Sequence, residues 1–414
     1  MKPYLEKLLT RSRESFKELK KTDIQKRNDA LLAIVEALEE KTAIILDANI
    51  KDVINARATG MNSSLLDRLS LSENRIMDMA QNVRKIIELP DPIGNILETT
   101  QLEYGTKIEK ISEPLGVIAM IYEARPSFTV DAAALAIKSG NSCVLRGGKE
   151  TLKTNMMLSE IIREAIADHI PADSVLFIED TDYSIVEMLL TAQKKVDLII
   201  PRGSTRLMDL VHAEARVPVL LAGPGICTAY IGETADLKKA MAVVISGKTQ
   251  RPSVCNALEN LLVHEKIAAK FIPMLYDKLK QKKTELRGDE TIVQLTGCTP
   301  ATPEDFDTEY LDYILSAKTV QSTKEAIDFI NEHGSHHSDV IVSQDDEDLQ
   351  AFLNDVDSAV IYVNTSTRFD DGAEFGAGTE LGISTQKLHV RGPIALTDLI
   401  TTKHHIMPDA IPNR

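Results

Sequence analysis

The sequence has few cysteines, no excess of positive charge and no long apolar run, and each absence excludes a class of protein. Four cysteines in 414 residues, without CxxC spacing, indicate neither a zinc knuckle nor a dense disulfide framework, and they fit a reducing compartment. The formal net charge of −15 disfavours nucleic acid or an anionic membrane as a partner, because most of the surface would repel either one. No apolar segment is long enough to span a bilayer, and the start of the chain lacks the apolar block of a secretory signal. We therefore expect a cytoplasmic protein that acts on small molecules, with no nucleic acid and no membrane as partner.

The usual dinucleotide fingerprint is also missing, although the chain has the pattern of an α/β protein. No GxGxxG follows the first predicted parallel strand, and the GPG at 223–225 is too short to replace it. The stretch before residue 90 has helical spacing and predicts antiparallel helices. From Gly116 onward, short apolar runs alternate with helical stretches, which favours a parallel sheet with ligands at the carboxyl ends of its strands. The predicted strands are GVIAMIY, NSCVLR, SVLFI, VDLIIP and VPVLLAG, and a second α/β stretch from Val263 to about Ile361 contains YILSAKTV, the helix STKEAIDFINEHG and DVIVS.

A polar hairpin is predicted between the helices and the parallel strands. LETTQLEYGTKIEKIS alternates polar with apolar or β-branched residues on both sides of Tyr104-Gly105. Its polarity indicates that it projects from the body of the protein. Its open edges could pair with another subunit or belong to an ordinary surface hairpin.

Two turns that join a buried strand to a helix could bind phosphate groups. In IIPRGSTRLMDLV, a strand ends near Pro201 and a helix begins near Thr205, which places the amides of Gly203 and Ser204 at a helix N-terminus. A simple helix cap is the alternative for this segment taken alone. In VLRGGKETLKT, Arg146 and Lys149 flank a pair of glycines, which would suit a second phosphate such as that on the ribose of NADP, or would be ordinary surface charge.

Cys255 is the candidate nucleophile among the four cysteines. It lies in GKTQRPSVCNALENLLVH, where proline and serine precede a stretch with helical spacing, so we expect its thiol near a helix N-terminus. The helix dipole and Arg251 would then stabilise a thiolate. A buried inert thiol is the alternative for any single cysteine, and Cys143 and Cys227 fit it because they lie in apolar strand-like runs. Cys298 falls on a predicted loop, and its sequence context does not decide between the two.

The segment HGSHH could in principle bind a metal ion. It contains His333, His336 and His337, but they follow a helix end without a carboxylate in a recognisable arrangement. Histidines at a helix C-terminus are favourable without any metal. We therefore predict no metal site.

Several blocks in order along nearly the whole chain resemble the gamma-glutamyl phosphate reductases, a branch of the aldehyde dehydrogenase superfamily. They are EPLGVIAMIYEARPSFTVDAAALAIKSGNSCVLRGGKE, IIPRGSTRL, RPSVCNALENLLVH, YILSAKTV with HGSHHSDVIV, and AVIYVNTSTRFDDGAEFGAGTELGISTQKLHVRGP. The resemblance implies an α/β fold like that of aldehyde dehydrogenases, with a parallel-sheet cofactor-binding domain (1–97, 113–225 and 358–386). It also implies an α/β catalytic domain (226–357) and a small β oligomerisation element (98–112 and 387–414).

The same resemblance implies an activity and a set of partners. The family reduces L-glutamate 5-phosphate to glutamate 5-semialdehyde with NADPH and releases phosphate, which is the second step of proline biosynthesis. The reaction passes through a cysteine thioester. A homo-oligomer is implied, and an association with glutamate 5-kinase is conceivable. The alternatives are a related aldehyde dehydrogenase for another acyl phosphate or thioester, and a non-catalytic nucleotide-binding scaffold.

Residue by residue, the resemblance assigns catalytic and cofactor-binding roles. Cys255 matches the nucleophile. Gly203, Ser204 and Thr205 match the turn near the cofactor pyrophosphate. Arg146 and Lys149 match the positions near the adenosine ribose, where a cation at 149 favours NADP over NAD. Glu309, in EYLDYILSA, matches the glutamate that often holds the nicotinamide ribose.

Two departures from the wider superfamily concern water and the oxyanion. Ala222, in LLAGPG, stands near the position where hydrolytic relatives have a water-activating glutamate, so hydrolysis of a thioester would be suppressed. Ala124, in YEARP, stands where an asparagine usually helps to bind the oxyanion. This task would fall to a backbone amide near Cys255 and to Asn256.

The substrate of the family carries phosphate, carboxylate and ammonium groups, which require cationic partners. Arg125 in YEARP and Arg368 in STRF are the candidates, because a guanidinium binds either anion in a bidentate manner. His337 is a further candidate for the substrate pocket, since HSDVIV matches the family around a single histidine.

Overall fold

The structure is a computed structural model, and it describes residues 2–102, 105–369 and 379–407. The helices predicted at the start of the chain are confirmed. They are α1 (Pro3–Leu19), α2 (Ile24–Glu40), α3 (Thr42–Ala58), α4 (Ser63–Leu69) and α5 (Glu73–Glu88). The apolar residues of α2 and α5 are buried in one shared core, whereas most of those of α1 pack against the first parallel sheet, and Asp23, Asn62 and Ser72 cap three of the helices through their side chains.

The predicted hairpin is also confirmed, and a strand near the end of the chain joins it. β1 (Ile96–Gln101) and β2 (Lys107–Pro114) pair antiparallel, and β16 (Ile400–Met407) pairs antiparallel with the other edge of β2. The predicted turn residue Tyr104 lies outside the described residues. So do residues 370–378, which belong to the last of the family-like blocks, and residues 408–414.

A four-stranded parallel sheet follows the hairpin, in the order β5-β4-β3-β6. Every residue of these strands is buried, because helices cover both faces, and this explains their continuous apolar sequences. The strands are β3 (Val117–Tyr122), β4 (Ser142–Arg146), β5 (Val175–Phe177) and β6 (Leu198–Arg202), and the helices between and after them are α6 (Pro126–Lys138), α7 (Leu152–Ile166), α8 (Ser184–Leu190) and α9 (Thr205–Glu214).

A second, seven-stranded parallel sheet has the order β10-β9-β11-β8-β7-β12-β13. Its strands are β7 (Cys227–Ile231), β8 (Leu258–His264), β9 (Glu285–Gly288), β10 (Thr299–Pro300), β11 (Ile314–Val320), β12 (Ser338–Val342) and β13 (Val360–Val363). Its helices are α10 (Leu237–Thr249), α11 (Glu265–Gln281), α12 (Glu290–Thr296), α13 (Thr323–His333) and α14 (Asp346–Asp355). A short antiparallel pair, β14 (Ile383–Ser384) and β15 (Gly392–Pro393), and 3₁₀ turns at Lys149–Thr151, Ala172–Ser174, Pro303–Asp307, Thr367–Phe369 and Leu396–Leu399 complete the described elements.

Two sequence-based predictions of local structure were wrong. The stretch after Cys255 is the central strand β8, and no helix begins there. Both faces of β8 are buried, so its polar residues have partners inside the protein. Glu259 pairs with Lys248 of α10, and Asn260 Nδ2 donates to Phe306 O. VPVLLAG forms only isolated parallel bridges, Val219 with Ile199 and Ala222 with Arg202.

The boundary predicted after residue 357 does not coincide with the edge of the second sheet. β13 pairs in parallel with β12, so the seven-stranded sheet extends to Val363. The three-part division of the chain otherwise stays a prediction. Among the described residues, no helix combines the length and the apolar character needed to cross a membrane.

Candidate active site

The carboxyl ends of the four-stranded sheet open onto a cavity of about 590 Å³, called here the larger cavity. Residues directly after β3, β4, β5 and β6 line it, as expected for ligand sites in parallel sheets. Cys255 and Glu309 reach it from the side of the second sheet. The predicted cofactor-binding residues on the cavity wall are Arg146, Lys149, Gly203, Ser204 and Glu309.

A second cavity of about 240 Å³, called here the smaller cavity, lies on the other side of Cys255. Cys255, Arg125 and Arg202 line both cavities, so the thiol stands where the two meet. The smaller cavity is rich in cations and also contains two carboxylates. Its charged residues are Lys85, Arg125, Arg202, Arg251, Arg368, Asp131 and Glu380.

The turn before α9 holds an anion of the protein itself. The Ser204 N–H donates to Glu123 Oε2 at 2.8 Å, and Ser204 Oγ lies 3.4 Å from Glu123 Oε1. A Cβ at Gly203 would lie 2.6 Å from the same carboxylate, so glycine permits the close approach. This helix N-terminus therefore accepts an anionic group, as the sequence predicted for a phosphate.

The second predicted phosphate site lies on the same cavity. Arg146 is buried at the end of β4, and its Nη2 donates to Thr181 O at 2.8 Å. Lys149 is exposed at the rim, whereas the neighbouring Glu150 is turned inward and accepts a hydrogen bond from the Ala124 N–H at 2.7 Å. The acidic side chain is thus occupied by the protein, and the lysine remains available to a ligand.

Cys255 lies in a turn between α10 and β8, so the predicted position at a helix N-terminus was wrong. The chain packs tightly there, since a Cβ at Gly225 would lie 1.6 Å from Cys255 O. Only glycine fits at position 225 without displacing the backbone of the turn that carries Cys255.

The second sheet brings Cys255, Cys227 and His337 together. β8, β7 and β12 are neighbours, and Cys255, Cys227 and His337 lie at or just before their amino ends. Cys227 Sγ donates to Cys255 O at 3.3 Å and is 3.8 Å from His337 Nδ1. Strand order therefore assembles this cluster from residues that are far apart in the sequence.

The environment of Cys255 favours the thiolate. Burial opposes ionisation, but the nearby charges of His337, Arg202 and Arg125 outweigh it and hold the pKa of Cys255 well below its ordinary value. Arg202 Nη2 lies 3.9 Å from Cys255 Sγ. Arg251, which the sequence suggested for this role, instead lies 3.8 Å from Asp67 Oδ2 and faces the smaller cavity.

His337 is the partner of the thiol. Its ring is fully buried, and Nδ1 lies 2.9 Å from Ser338 Oγ. Burial lowers the pKa of His337, yet the nearby charge of Cys255 raises it overall. His337 is absent from the walls of both described cavities, so contact with substrate stays a prediction. The other histidines of the cluster point away, with His333 Nδ1 2.8 Å from Asp307 Oδ1 and His336 Nδ1 2.7 Å from Asp357 O.

The predicted substrate arginines both reach the smaller cavity. Arg368 Nη1 donates to Asn256 Oδ1, which fixes the side-chain orientation of both residues. Arg125 caps α6 directly after Ala124, whose φ of 45° is in the left-handed region. Burial and the neighbouring Arg202 and Arg68 charges lower the pKa of Arg125 well below its ordinary value.

Comparison with known proteins decides the family. The model of the aldehyde dehydrogenase family matches residues 3–308. The chain is 46% identical over 397 residues to a gamma-glutamyl phosphate reductase of Francisella philomiragia, covering 95% of this chain and 96% of that protein. It is 45% identical over 406 residues to the reductase of that name from Ligilactobacillus salivarius, covering 97% of each. The chain belongs to the gamma-glutamyl phosphate reductase branch of the aldehyde dehydrogenase family.

Solved structures agree with this membership and confirm the predicted fold class. The crystal structure of a gamma-glutamyl phosphate reductase from Thermotoga maritima matches with a TM-score of 0.91 at 41% identity, covering 99% of this chain and 100% of that one. An acetylating aldehyde dehydrogenase from Geobacillus thermoglucosidasius matches with a TM-score of 0.74 at 19% identity, covering 99% and 98%. The second likeness shows the shared fold alone.

Ala222, predicted to stand near the position of the water-activating glutamate of hydrolytic relatives, lies on the wall of the larger cavity. Ala222 offers no carboxylate there. Glu309 does reach this cavity, but its Oε1 accepts a hydrogen bond from the Gly225 N–H at 2.8 Å. Burial raises the pKa of Glu309.

Two arginines near the thiol, Arg202 and Arg68, were not predicted from the sequence. Arg202 is the last residue of β6, and Arg68 Nη1 donates to Ser253 O at 3.4 Å. Burial, with the neighbouring Arg202 charge, lowers the pKa of Arg68 to about 10. Arg202 could have been found, because a charged residue that ends a buried strand before a glycine turn is unusual. Arg68, on a short helix far from Cys255 in the sequence, gave no such indication.

Proposed function

We propose that this protein catalyses the NADPH-dependent reduction of L-glutamate 5-phosphate to L-glutamate 5-semialdehyde, with release of phosphate. This is the second step of proline biosynthesis. The observation that carries the proposal is the position of Cys255, whose thiol lies where the cavity at the carboxyl ends of the parallel sheet meets a cavity rich in arginine, and whose pKa is held well below its ordinary value. The names of its relatives support the choice of substrate.

The larger cavity suits a nicotinamide dinucleotide. The amides of Gly203, Ser204 and Thr205 would receive the pyrophosphate in place of the Glu123 carboxylate, which accepts the Ser204 N–H in the structure. Arg146 and Lys149 would bind the phosphorylated ribose, and Glu309 would bind the nicotinamide ribose. When bound, the reduced nicotinamide supplies the hydride.

Cys255 carries the substrate carbon through the reaction. Its thiolate attacks the acyl phosphate carbonyl, a C–S bond forms, and the resulting oxyanion collapses as the C–O bond to phosphate breaks. A backbone amide near Cys255 and the Asn256 side chain would stabilise the oxyanion, aided by the Arg202 charge. Hydride addition to the thioester then breaks the C–S bond, releases the aldehyde and returns the sulfur as a thiolate paired with His337.

Hydrolysis of the thioester in the second half of this reaction is disfavoured by the residues of the cavity wall. Ala222 provides no base, and the Glu309 carboxyl accepts a hydrogen bond from Gly225. A thioester on Cys255 therefore persists until it receives a hydride.

The reverse reaction tests the proposed function directly. Purified protein should reduce NADP when glutamate 5-semialdehyde and inorganic phosphate are both present, and omission of phosphate should abolish the rate. Phosphate-independent NADP reduction would contradict the proposed acyl phosphate. A higher kcat/KM with another aldehyde than with glutamate 5-semialdehyde would favour a related dehydrogenase instead.

NADPH should be the better cofactor, and Lys149 should contribute to the preference. We expect Lys149→Glu to lower kcat/KM for NADPH about tenfold and to leave that for NADH unchanged, because it removes one charged contact to the 2′-phosphate. Lys153→Glu is the matched control, since this exposed lysine on α7 does not line the larger cavity. Equal losses with both cofactors would exclude Lys149 from the discrimination.

The arginines of the smaller cavity should determine substrate affinity. Arg125→Lys and Arg368→Lys are each expected to raise KM for the substrate about tenfold, because an ammonium cannot replace bidentate guanidinium contacts. Steady-state kinetics at varied substrate concentration measure this. Unchanged kinetics in both variants would remove these arginines from the site.

The small antiparallel sheet is our candidate for contacts between subunits. β1 and β16 carry the exposed apolar side chains Ile96, Leu97, Ile406 and Met407, and the exposed Leu102 directly follows β1. We propose that a second copy of the chain covers them, which makes the protein a homo-oligomer.

A further inference from the structure

The smaller cavity contains a carboxylate for which the reaction chemistry above has no use. Asp131 lies on α6, among five cationic residues that suit the phosphate and carboxylate of the proposed substrate. Its Oδ1 is buried and has no hydrogen-bond partner among residues 2–102, 105–369 and 379–407. A buried carboxylate oxygen without a partner is costly, so it points to a donor that the protein itself does not supply.

The surrounding protein satisfies Asp131 only in part. The Arg202 charge and, more weakly, the Asn82 side chain on α5 favour its ionised form. However, the terminal nitrogens of Arg202 are directed elsewhere, Nη1 to Leu381 O at 2.6 Å and Nη2 to Cys255 Sγ at 3.9 Å. Burial accordingly raises the pKa of Asp131 to about 7, and a bound cation would restore the ionised form.

We infer that Asp131 binds the α-ammonium group of the amino-acid substrate and so selects an α-amino acyl phosphate over its desamino analogue. The inference rests on the proposed function and goes beyond it, because it assigns the one positive group of the substrate to a particular carboxylate. Arg125, Arg251, Arg368 and Lys85 would take the anionic groups.

The position of Asp131 along α6 fits this role. Arg125, which lines both cavities beside the thiol, is the N-cap of α6, and Asp131 comes six residues later, about 9 Å along the helix axis. This separation is comparable with the length of a five-carbon amino acid. A substrate whose carbonyl lies at Cys255 can therefore extend its amino end toward Asp131.

Two aldehydes that differ only in the amino group provide the test. We would measure phosphate-dependent NADP reduction with glutamate 5-semialdehyde and with 5-oxopentanoate, in the parent and in Asp131→Asn. The parent should prefer the amino substrate, and Asp131→Asn should lower kcat/KM for it about 10- to 100-fold, as for loss of a charged hydrogen bond. The kcat/KM for 5-oxopentanoate should stay within about twofold of the parent, since the analogue has no ammonium to bind. Each variant is compared with the parent on the same substrate, so cyclisation of the amino aldehyde cancels.

Two further variants sharpen the result. Asp78→Asn makes the same change at an exposed position of α5 and should behave like the parent with both aldehydes. Glu380→Gln removes the other carboxylate of the cavity; a selective loss in this variant, with Asp131→Asn unaffected, would assign the ammonium to Glu380 and overturn the inference.

The remaining outcomes are also decisive. A parent that uses both aldehydes equally, or an Asp131→Asn variant that loses both activities together, would overturn the role of Asp131 and leave the proposed reaction intact. Absence of phosphate-dependent activity in the parent would instead refute the proposed function itself.

Discussion

Replacing Cys255 by serine is expected to lower kcat about 10⁴-fold or more, because the serine hydroxyl does not carry out the attack that bonds the substrate covalently to the enzyme. The charges of His337 and the arginines lower the pKa of the Cys255 thiol. A serine hydroxyl has a far higher pKa and stays protonated in the same surroundings. Reduction of the acyl phosphate should therefore nearly stop. Binding of NADPH, followed by its fluorescence, should persist because the larger cavity keeps its other walls.

The matched control for this prediction is another cysteine of the same chain. Cys298 is buried between α12 and β10 and lines neither of the two cavities, so Cys298→Ser should retain the parent kcat. Iodoacetamide should inactivate the parent by alkylating Cys255, and substrate should protect it. Full turnover by Cys255→Ser, or inactivation without alkylation at this position, would refute the covalent route.

Replacing His337 by asparagine should shift the ionisation of Cys255 and reduce kcat about 100-fold at neutral pH. In the parent, the pKa of Cys255 lies well below its ordinary value, so the thiolate is lost only as the pH falls through that lowered pKa. Without the His337 charge, the pKa rises. Below the new pKa, the thiolate fraction falls about tenfold per pH unit.

The rate of iodoacetamide alkylation as a function of pH measures this shift. The parent should react at a nearly constant rate through neutral pH, whereas His337→Asn should react slowly at pH 6 and recover as the pH is raised. His336→Asn is the control, since this neighbouring histidine contacts Asp357 O and faces away from the thiol. Asparagine suits both positions, because it tolerates the positive φ of residue 336 and keeps a polar group near Ser338 at 337. Identical pH profiles in the parent and His337→Asn would exclude His337 as the partner of the thiolate.

Local features of the site followed from the sequence wherever neighbouring residues decide the structure. The turn before α9 was predicted because a buried apolar strand, a glycine and a helical pattern stand next to each other between residues 198 and 214. The hairpin was predicted because alternation and a turn dipeptide are local signals. The strands of the four-stranded sheet were predicted because both of their faces are buried, which gives continuous apolar runs.

The surroundings of Cys255 show the limit of the same reasoning. A short apolar run that is buried on all sides has the same composition as a helix or as a strand, so periodicity could not distinguish the two for β8. The error moved Cys255 to a helix N-terminus, whereas the structure has it in a turn before β8. The charges of His337, Arg202 and Arg125 lower the pKa of its thiol there.

By itself, the sequence determined the α/β class, the two turns that join a strand to a helix at the larger cavity, the candidate nucleophile and the resemblance that points to the reaction, because these depend on residues close together in the chain. Only the tertiary structure decided which side chains surround the thiol. The order β8-β7-β12 places Cys255 beside Cys227 and His337, and the approach of the first sheet brings Arg202 to the sulfur. Strand order and packing between sheets set these contacts, and no local pattern encodes the neighbours of a strand in space.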